Sequence, residues 1–399
     1  MPNEKMRLLG ANRSAIRELF EYGKTRKTEI GEENVFDFSL GNPSIPSPPV
    51  VKERLTAMLE ELDPVALHGY TSAQGDAGVR GAIADYLNRT QNAGVTADCF
   101  YLTVGAAASL TISLTALLNP GDEVILIAPF FPEYRVFVER TGAKAVTVPS
   151  DPDDMRPDFD AIGRAITPAT RAVIVNSPNN PTGVVLSEGD VRRLADTLRV
   201  RAEEYGNPIY LIADEPYREL VYDGIKVPYL PHYYDDTLVC YSFSKSVSLP
   251  GERIGYVMVA PKCRDFAAVY QAVCGAGRAL GFVCAPAMFQ YLIPDLLGKT
   301  GNLQIYDRNR RLLYEALTSY GFCVIRPEGA FYLFVRSPES DAVAFCERAK
   351  KHEILLVPGN DFGCPGYVRV AYCVTTEQIE RSLPAFRALA ASYGLLKLS

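Results

Sequence analysis

Lys245 closes the run Tyr241-Ser242-Phe243-Ser244-Lys245 after an apolar, strand-like stretch from Thr237 to Cys240, and Arg253 follows eight residues later in Pro250-Gly251-Glu252-Arg253. A lysine in that setting can be a reactive amine beside an anion site. Three other segments carry groups of matching chemistry: Asn180 in Ser177-Pro178-Asn179-Asn180-Pro181-Thr182-Gly183, Asp214 in Ala213-Asp214-Glu215-Pro216-Tyr217, and Arg369 in Tyr367-Val368-Arg369-Val370-Ala371. The guanidinium of Arg369 is a planar fork of donors suited to a carboxylate. Asp214 ends the apolar run Ile209–Ala213, where a carboxylate can be buried. Glu215 is its rival, but successive strand residues point to opposite faces, so one of the two reaches a given site. Ser242–Lys245 also reads as Ser-x-x-Lys, the opening of an acyl-serine hydrolase signature, and no Ser-Asp-Asn tripeptide accompanies it.

The elements that must hold these residues follow from apolar patterning. Strand-like runs recur at Cys99–Val104, Glu123–Ile127, Ala145–Val148, Ala172–Asn176, Ile209–Ala213, Leu238–Ser242 and Ile254–Val259, alternating with helix-like segments such as Val191–Tyr205. That alternation predicts an α/β fold with a mostly parallel sheet, whose ligand crevice lies beyond the carboxyl ends of the strands. Several of the polar segments above begin where those strands end. Gly105-Ala106-Ala107-Ala108-Ser109 follows one strand and opens an apolar helix-like run to Leu118, so its free backbone N–H groups could cradle an anion, although small residues there also serve close packing. Asn119-Pro120-Gly121-Asp122 reads as a turn. Over the last hundred residues the texture changes: Arg308–Tyr320 and Glu377–Leu396 look helical, and Phe331–Val335 and Tyr367–Tyr372 look like strands, consistent with a separate α+β unit.

Composition narrows the function classes. The 399 residues, 48% hydrophobic and 22% charged, suit one large core and a smaller domain. A net charge of −6 and a pI near 5.4 leave no basic excess for neutralising nucleic-acid phosphates. The charged start, Met1 to Lys5, has no signal-peptide core, and no apolar run approaches the roughly 20 residues of a membrane span, so a cytoplasmic protein is expected. Nine cysteines without a Cys-x-x-Cys pair, and the dispersed His68, His232 and His352, suggest neither a disulfide framework nor a metal site. Most of those cysteines are expected to be buried small hydrophobes.

In this order and at these spacings, the motifs resemble the pyridoxal-phosphate aminotransferases of fold type I, class I/II, the family of the aspartate, alanine and aromatic transaminases. The likeness runs from roughly Phe36 to Leu389. It implies a seven-stranded, mostly parallel sheet in a large domain at 46–295, a smaller α+β domain made of 1–45 with 296–399, and a homodimer. It also implies pyridoxal 5'-phosphate as cofactor. Lys245 would condense with the cofactor aldehyde and, displaced by substrate, shuttle protons, while Asp214 keeps the pyridine nitrogen protonated. Tyr217 and Asn180 would hydrogen-bond the phenolic oxygen and Phe131, in Pro129-Phe130-Phe131-Pro132, would stack on the ring. Gly105, Ala106, Ala107, Ser242, Ser244 and Arg253 would form the phosphate cup, joined by Tyr70 of His68-Gly69-Tyr70-Thr71 from the neighbouring subunit. Arg369 matches the reader of the substrate α-carboxylate, and Gly41, in Leu40-Gly41-Asn42-Pro43, a loop that closes over substrate. Gly329–Tyr332 and Pro358–Gly363 also match family segments.

The chain departs from the dicarboxylate-specific branches of that family. One branch reads the distal carboxylate with a lysine where this chain has Ala107; another uses an arginine near Gly277-Arg278-Ala279-Leu280, where Leu280 lies nearer than Arg278 to the expected position. Arg278 is a candidate distal reader, and pairing at a dimer interface or with phosphate suits it equally. The resemblance therefore implies transfer of an amino group between an amino acid and a 2-oxo acid, with aspartate and 2-oxoglutarate first and alanine or aromatic amino acids next. A C–S β-lyase on the same fold and a non-catalytic regulator are the alternatives.

Overall fold

Seven segments pair into one sheet: β1 (Phe100–Thr103), β2 (Glu123–Ala128), β3 (Lys144–Pro149), β4 (Thr170–Asn176), β5 (Tyr210–Asp214), β6 (Thr237–Ser242) and β7 (Gly255–Val259). A computed structural model describes residues 2–11 and 15–396. The strand order is β1-β7-β6-β5-β4-β2-β3; β2 to β6 run parallel, and β7 is antiparallel to both neighbours. Each strand falls on an apolar run expected from the sequence, within a residue or two.

The central residues of most of these strands are apolar on both faces because helices cover both sides of the sheet, with polar residues gathered toward the strand ends and on the edge strand β3. Ile125, Val173, Leu211, Val239 and Tyr241 enter the core on one side, with Val191, Leu194 and Leu198 of the helix Glu188–Tyr205. Val124, Leu126, Ile174, Ile212 and Cys240 enter the core on the other side, with Leu110 and Leu114 of the helix Ala106–Leu117 and Tyr134 and Val138 of the helix Glu133–Arg140. The period of two thus fixes which face every strand-end residue serves. Glu188–Tyr205 is bounded by a capping box between Ser187 and Asp190 and by the left-handed Gly206.

A second, antiparallel sheet has β8 (Val324–Ile325), β9 (Tyr332–Arg336), β10 (Val357–Pro358) and β11 (Tyr367–Ala371) in the order β10-β11-β9-β8. Its core gathers Phe38, Leu313, Phe345, Val370 and Phe386, together with Tyr217, Leu220 and Tyr222 from the stretch after β5. Phe36–Asp37 pairs in parallel with Ile354–Leu355, and Leu19 of the helix Ala15–Ile30 packs against Leu355, Val357 and Phe362.

Element ends differ from expectation where side chains or glycine, rather than apolar period, decide them. The helix expected at Arg308–Tyr320 spans Leu303–Ser319, since the Asn302 side chain caps it by accepting from Gln304 N at 3.2 Å. The closing helix spans Thr376–Ser392 and stops short of Leu396, with Gly394 at φ 65°. Five of the nine cysteines are buried, three are half-buried and Cys323 is exposed. Among the described residues no helix is long and apolar enough to cross a membrane.

Candidate active site

The carboxyl ends of β4, β5 and β6 meet in a cleft of about 260 Å³. Register places Asn176 at the end of β4 beside Asp214 at the end of β5. Asn176 Nδ2 donates to the Asp214 carbonyl at 2.8 Å, and its Oδ1 accepts from Asn180 N at 2.7 Å, so one side chain ties the carboxylate strand to the following loop. Asp214 Oδ2 accepts from the Tyr134 hydroxyl, whereas Oδ1 is buried with no partner among the described residues. Burial pushes the Asp214 carboxyl up to about 7, with Tyr134 opposing the rise and the adjacent Glu215 adding to it. Glu215 turns to the other face and pairs with Arg218 at 2.9 Å, as strand alternation requires.

Lys245 enters the same cleft from the turn after β6. Its Nζ donates to the Gly41 carbonyl at 2.6 Å and lies 5.6 Å from the Phe331 ring centroid. Burial draws its pKa down to about 8; Cys373 opposes that shift, and the like charges of Arg369 and Arg253 reinforce it. A neutral, nucleophilic amine is therefore accessible near neutral pH.

Arg369, on β11, is 2% exposed. Its Nη1 donates to Asn180 Oδ1 at 3.0 Å, its Nη2 to the Ser39 carbonyl at 2.6 Å, and Tyr332 and Phe362 flank the guanidinium at 4.7 and 5.1 Å. With its oxygen taken by Arg369, Asn180 keeps its amide N–H groups for a ligand. The Tyr217 and Tyr332 hydroxyls share a hydrogen bond of 2.9 Å.

Opposite lies an anion cradle. Gly105 adopts φ 92° and caps the helix Ala106–Leu117, whose first turn brings Ala106 and Ala107 to the cleft. A Cβ on Gly105 would stand 2.8 Å from Arg253 Nη2, so the guanidinium rests against bare backbone. Arg253 donates to the Pro250 carbonyl at 2.9 Å and has no ion-pair partner among the described residues, which leaves its charge free for an exogenous anion. Ser242 and Ser244 complete the cradle, and Phe131 lines the cleft beside them.

An amine with a lowered pKa, a buried carboxylate oxygen without a partner among the described residues, a buried guanidinium and an anion cradle thus share one cavity. The sequence profile of the family "Aminotransferase class I and II" matches residues 33–386. The chain belongs to the class I and II aminotransferases. This aminotransferase is 30% identical to the aromatic-amino-acid aminotransferase 2 of Thermococcus litoralis over 94% of this chain and 95% of that one. It is 31% identical to the aspartate/prephenate aminotransferase of Thermus thermophilus over 87% and 88%. Among solved structures, an amino transferase from Eubacterium rectale superposes with a TM-score of 0.96 at 55% identity and 98% coverage of both chains. The Thermus thermophilus aspartate aminotransferase with maleate gives 0.84 at 28% identity, covering 98% and 100%.

Members of this family depend on pyridoxal phosphate. The residues present fit that group: Lys245 for its aldehyde, the orphaned Asp214 Oδ1 for a protonated ring nitrogen, and the Arg253 cradle for its phosphate. Two expected residues stand apart from the cleft of their own chain. Arg278 is exposed near the end of the helix Phe266–Ala279, and Tyr70 is 99% exposed. The chain also carries the tripeptide Lys299-Thr300-Gly301, a second part of the acyl-serine signature that Ser242–Lys245 opens, but none of the three lines the cleft. Sequence reasoning missed Tyr134, Asn176 and Ile16, and named Tyr332 and Phe362 only within family-like segments. Asn176 directly precedes the Ser177–Gly183 motif, which was the available signal; Tyr134 and Ile16 offered none.

Proposed function

We propose that this enzyme moves an amino group between an L-amino acid, aspartate first, and a 2-oxo acid such as 2-oxoglutarate, working as a cytoplasmic homodimer. Residues 46–295 would form the cofactor-binding unit, and 1–45 with 296–399 the smaller one. The observation that carries the reading is the convergence of Lys245 Nζ, Asp214 Oδ1 and the Arg369 fork in one cavity. Relatives named for aspartate and aromatic donors, and a neighbour whose structure holds the dicarboxylate maleate, support the order of donors.

When bound, pyridoxal phosphate supplies an aldehyde that condenses with amines and a ring that withdraws electrons from the substrate Cα. Arg369, held by Asn180 and Ser39, receives the α-carboxylate and orients the Cα–H toward Lys245. Lys245, with its pKa drawn down to about 8, takes that proton and returns it to a neighbouring carbon. Asp214, oriented by Tyr134 and Asn176, holds a proton at the ring nitrogen. Gly41 accepts from the resting lysine and shares it with the loop over the cleft.

Mixing the cofactor-loaded protein with single amino acids and following the cofactor spectrum tests this. Fast conversion by aspartate and glutamate with slow conversion by alanine and phenylalanine is expected, and would make Arg278 a candidate reader across subunits. Preference for neutral donors overturns the dicarboxylate assignment. Ammonia and pyruvate from cystathionine without an oxo acid would place the chain among lyases.

A further inference from the structure

The alternation that builds the active site also builds a second cavity behind it. Asp214, Tyr217, Ser242 and Ser244 line the cleft, whereas Arg218, Glu219, Tyr241 and Phe243 line a separate cavity of about 450 Å³. Tyr86, Leu87, Tyr256 and Leu296 supply much of the rest of its wall, which is aromatic and apolar.

Its polar side is under-satisfied. Arg218 is occupied: it donates to Glu215 at 2.9 Å, to Gln91 at 3.2 Å, and to the carbonyls of Val227 and Pro228 at 3.2 and 3.4 Å. Glu219 Oε1 accepts from the Tyr241 hydroxyl at 2.9 Å. Glu219 Oε2 is buried without a partner among the described residues; Glu215 Oε1 and the Tyr229 hydroxyl are likewise unpartnered, but neither residue lines the cavity. Arg218 is thus paired with Glu215 and not with Glu219, whose second oxygen stays short of a donor, a desolvation cost that a further donor would relieve. Burial raises the pKa of both carboxyls, in keeping with that deficit. The same cavity is bordered by Lys226 and Lys299, both exposed and without an ion-pair partner among the described residues.

A buried anion short of donors, an aromatic wall and a border of free positive charge together describe a ligand with opposite charges at its two ends. We propose that this cavity binds a small aromatic zwitterion, with an ammonium or amidinium against Glu219 and a carboxylate toward Lys226 and Lys299. Its occupant is coupled to catalysis by shared backbone. Arg218 and Glu219 follow Tyr217 directly, and Tyr241 and Phe243 flank Ser242, so a shift of the rear residues moves two groups of the cleft. The site is independent of which amino donor the enzyme uses.

Calorimetric titration of the cofactor-loaded enzyme with 4-amidinobenzoate tests this, because a resonance-stabilised amidinium is a poor nucleophile toward the cofactor aldehyde. Saturable binding is expected, weakened about tenfold or more in Glu219→Gln, where a charge-assisted hydrogen bond is lost. The Lys226→Ala/Lys299→Ala double variant should bind several-fold more weakly, and Arg369→Lys should bind as the parent does. No saturable binding to the parent overturns the proposal, as does undiminished binding in Glu219→Gln. Loss of binding in Arg369→Lys also overturns it, by placing the probe in the catalytic cleft. Should Glu219→Gln fail to fold, the double variant, altered only at exposed positions, decides: unchanged affinity there rejects the site.

Discussion

Asp214 is a buried carboxylate whose second oxygen has no partner among the described residues, so the cofactor-free protein carries a cost that depends on pH. Its folded pKa of about 7 lies above the ordinary 3.8, so the folded state holds this proton more tightly than the unfolded state does. The corresponding stability is complete below about 3.8 and is lost as pH rises from there through 7, so that by pH 8 the loss is roughly 4 kcal/mol. Cofactor-free Asp214→Asn should therefore resist denaturant better than the parent at pH 8, with the gain shrinking toward pH 4. A gain equal at both pH values would show that Asp214 is not desolvated. Lys245→Ala should abolish the absorbance of lysine-bound cofactor and lower turnover by roughly a thousandfold or more; an unchanged absorbance band refutes its assignment. Lys245 and Asp214 were legible because each sits in a motif at a strand end, and alternation already separated Asp214 from Glu215. Tyr134 was not, because its partner is 80 residues away and the contact exists only once two elements pack on one face of the sheet.

The strands were readable because both faces are buried, which leaves unbroken apolar stretches such as Ala172–Val175 in β4 and Leu238–Tyr241 in β6. Helix ends were less so: Asn302 and Gly394 act through caps and left-handed backbone that an apolar count does not register. The helix Ala106–Leu117 shows what an element end contributes to chemistry. Gly105 must hold φ 92° and leave space for Arg253, so Gly105→Ala meets two obstacles: a left-handed backbone costing about 1–2 kcal/mol and a Cβ 2.8 Å from the guanidinium. The helix itself packs through Leu110 and Leu114 and should survive. The expected outcome is cofactor affinity lowered at least tenfold at unchanged circular dichroism, with binding followed by fluorescence. Unchanged affinity would mean that the helix start does not hold the phosphate.

The assembled molecule poses the question that a single chain leaves open at Tyr70. A tyrosine that is 99% exposed makes no contribution to its own cleft, yet its position matches a phosphate ligand delivered from a neighbouring subunit. If two copies exchange Tyr70, each active site combines one chain's Lys245 with the other's Tyr70, and the two residues can be separated genetically. Tyr70→Ala homodimers should bind cofactor weakly, and Lys245→Ala homodimers should be inactive. A mixed dimer of the two variants then contains one site with both residues intact and one lacking both, so coexpression should restore up to half the parental activity per dimer. Were Tyr70 to act on its own chain, every site in the mixed dimer would lack one residue or the other, and mixing would give no recovery above the Tyr70→Ala background. Turnover of the purified mixed dimer, isolated through two different affinity tags, distinguishes the outcomes without any assumption about the amino donor.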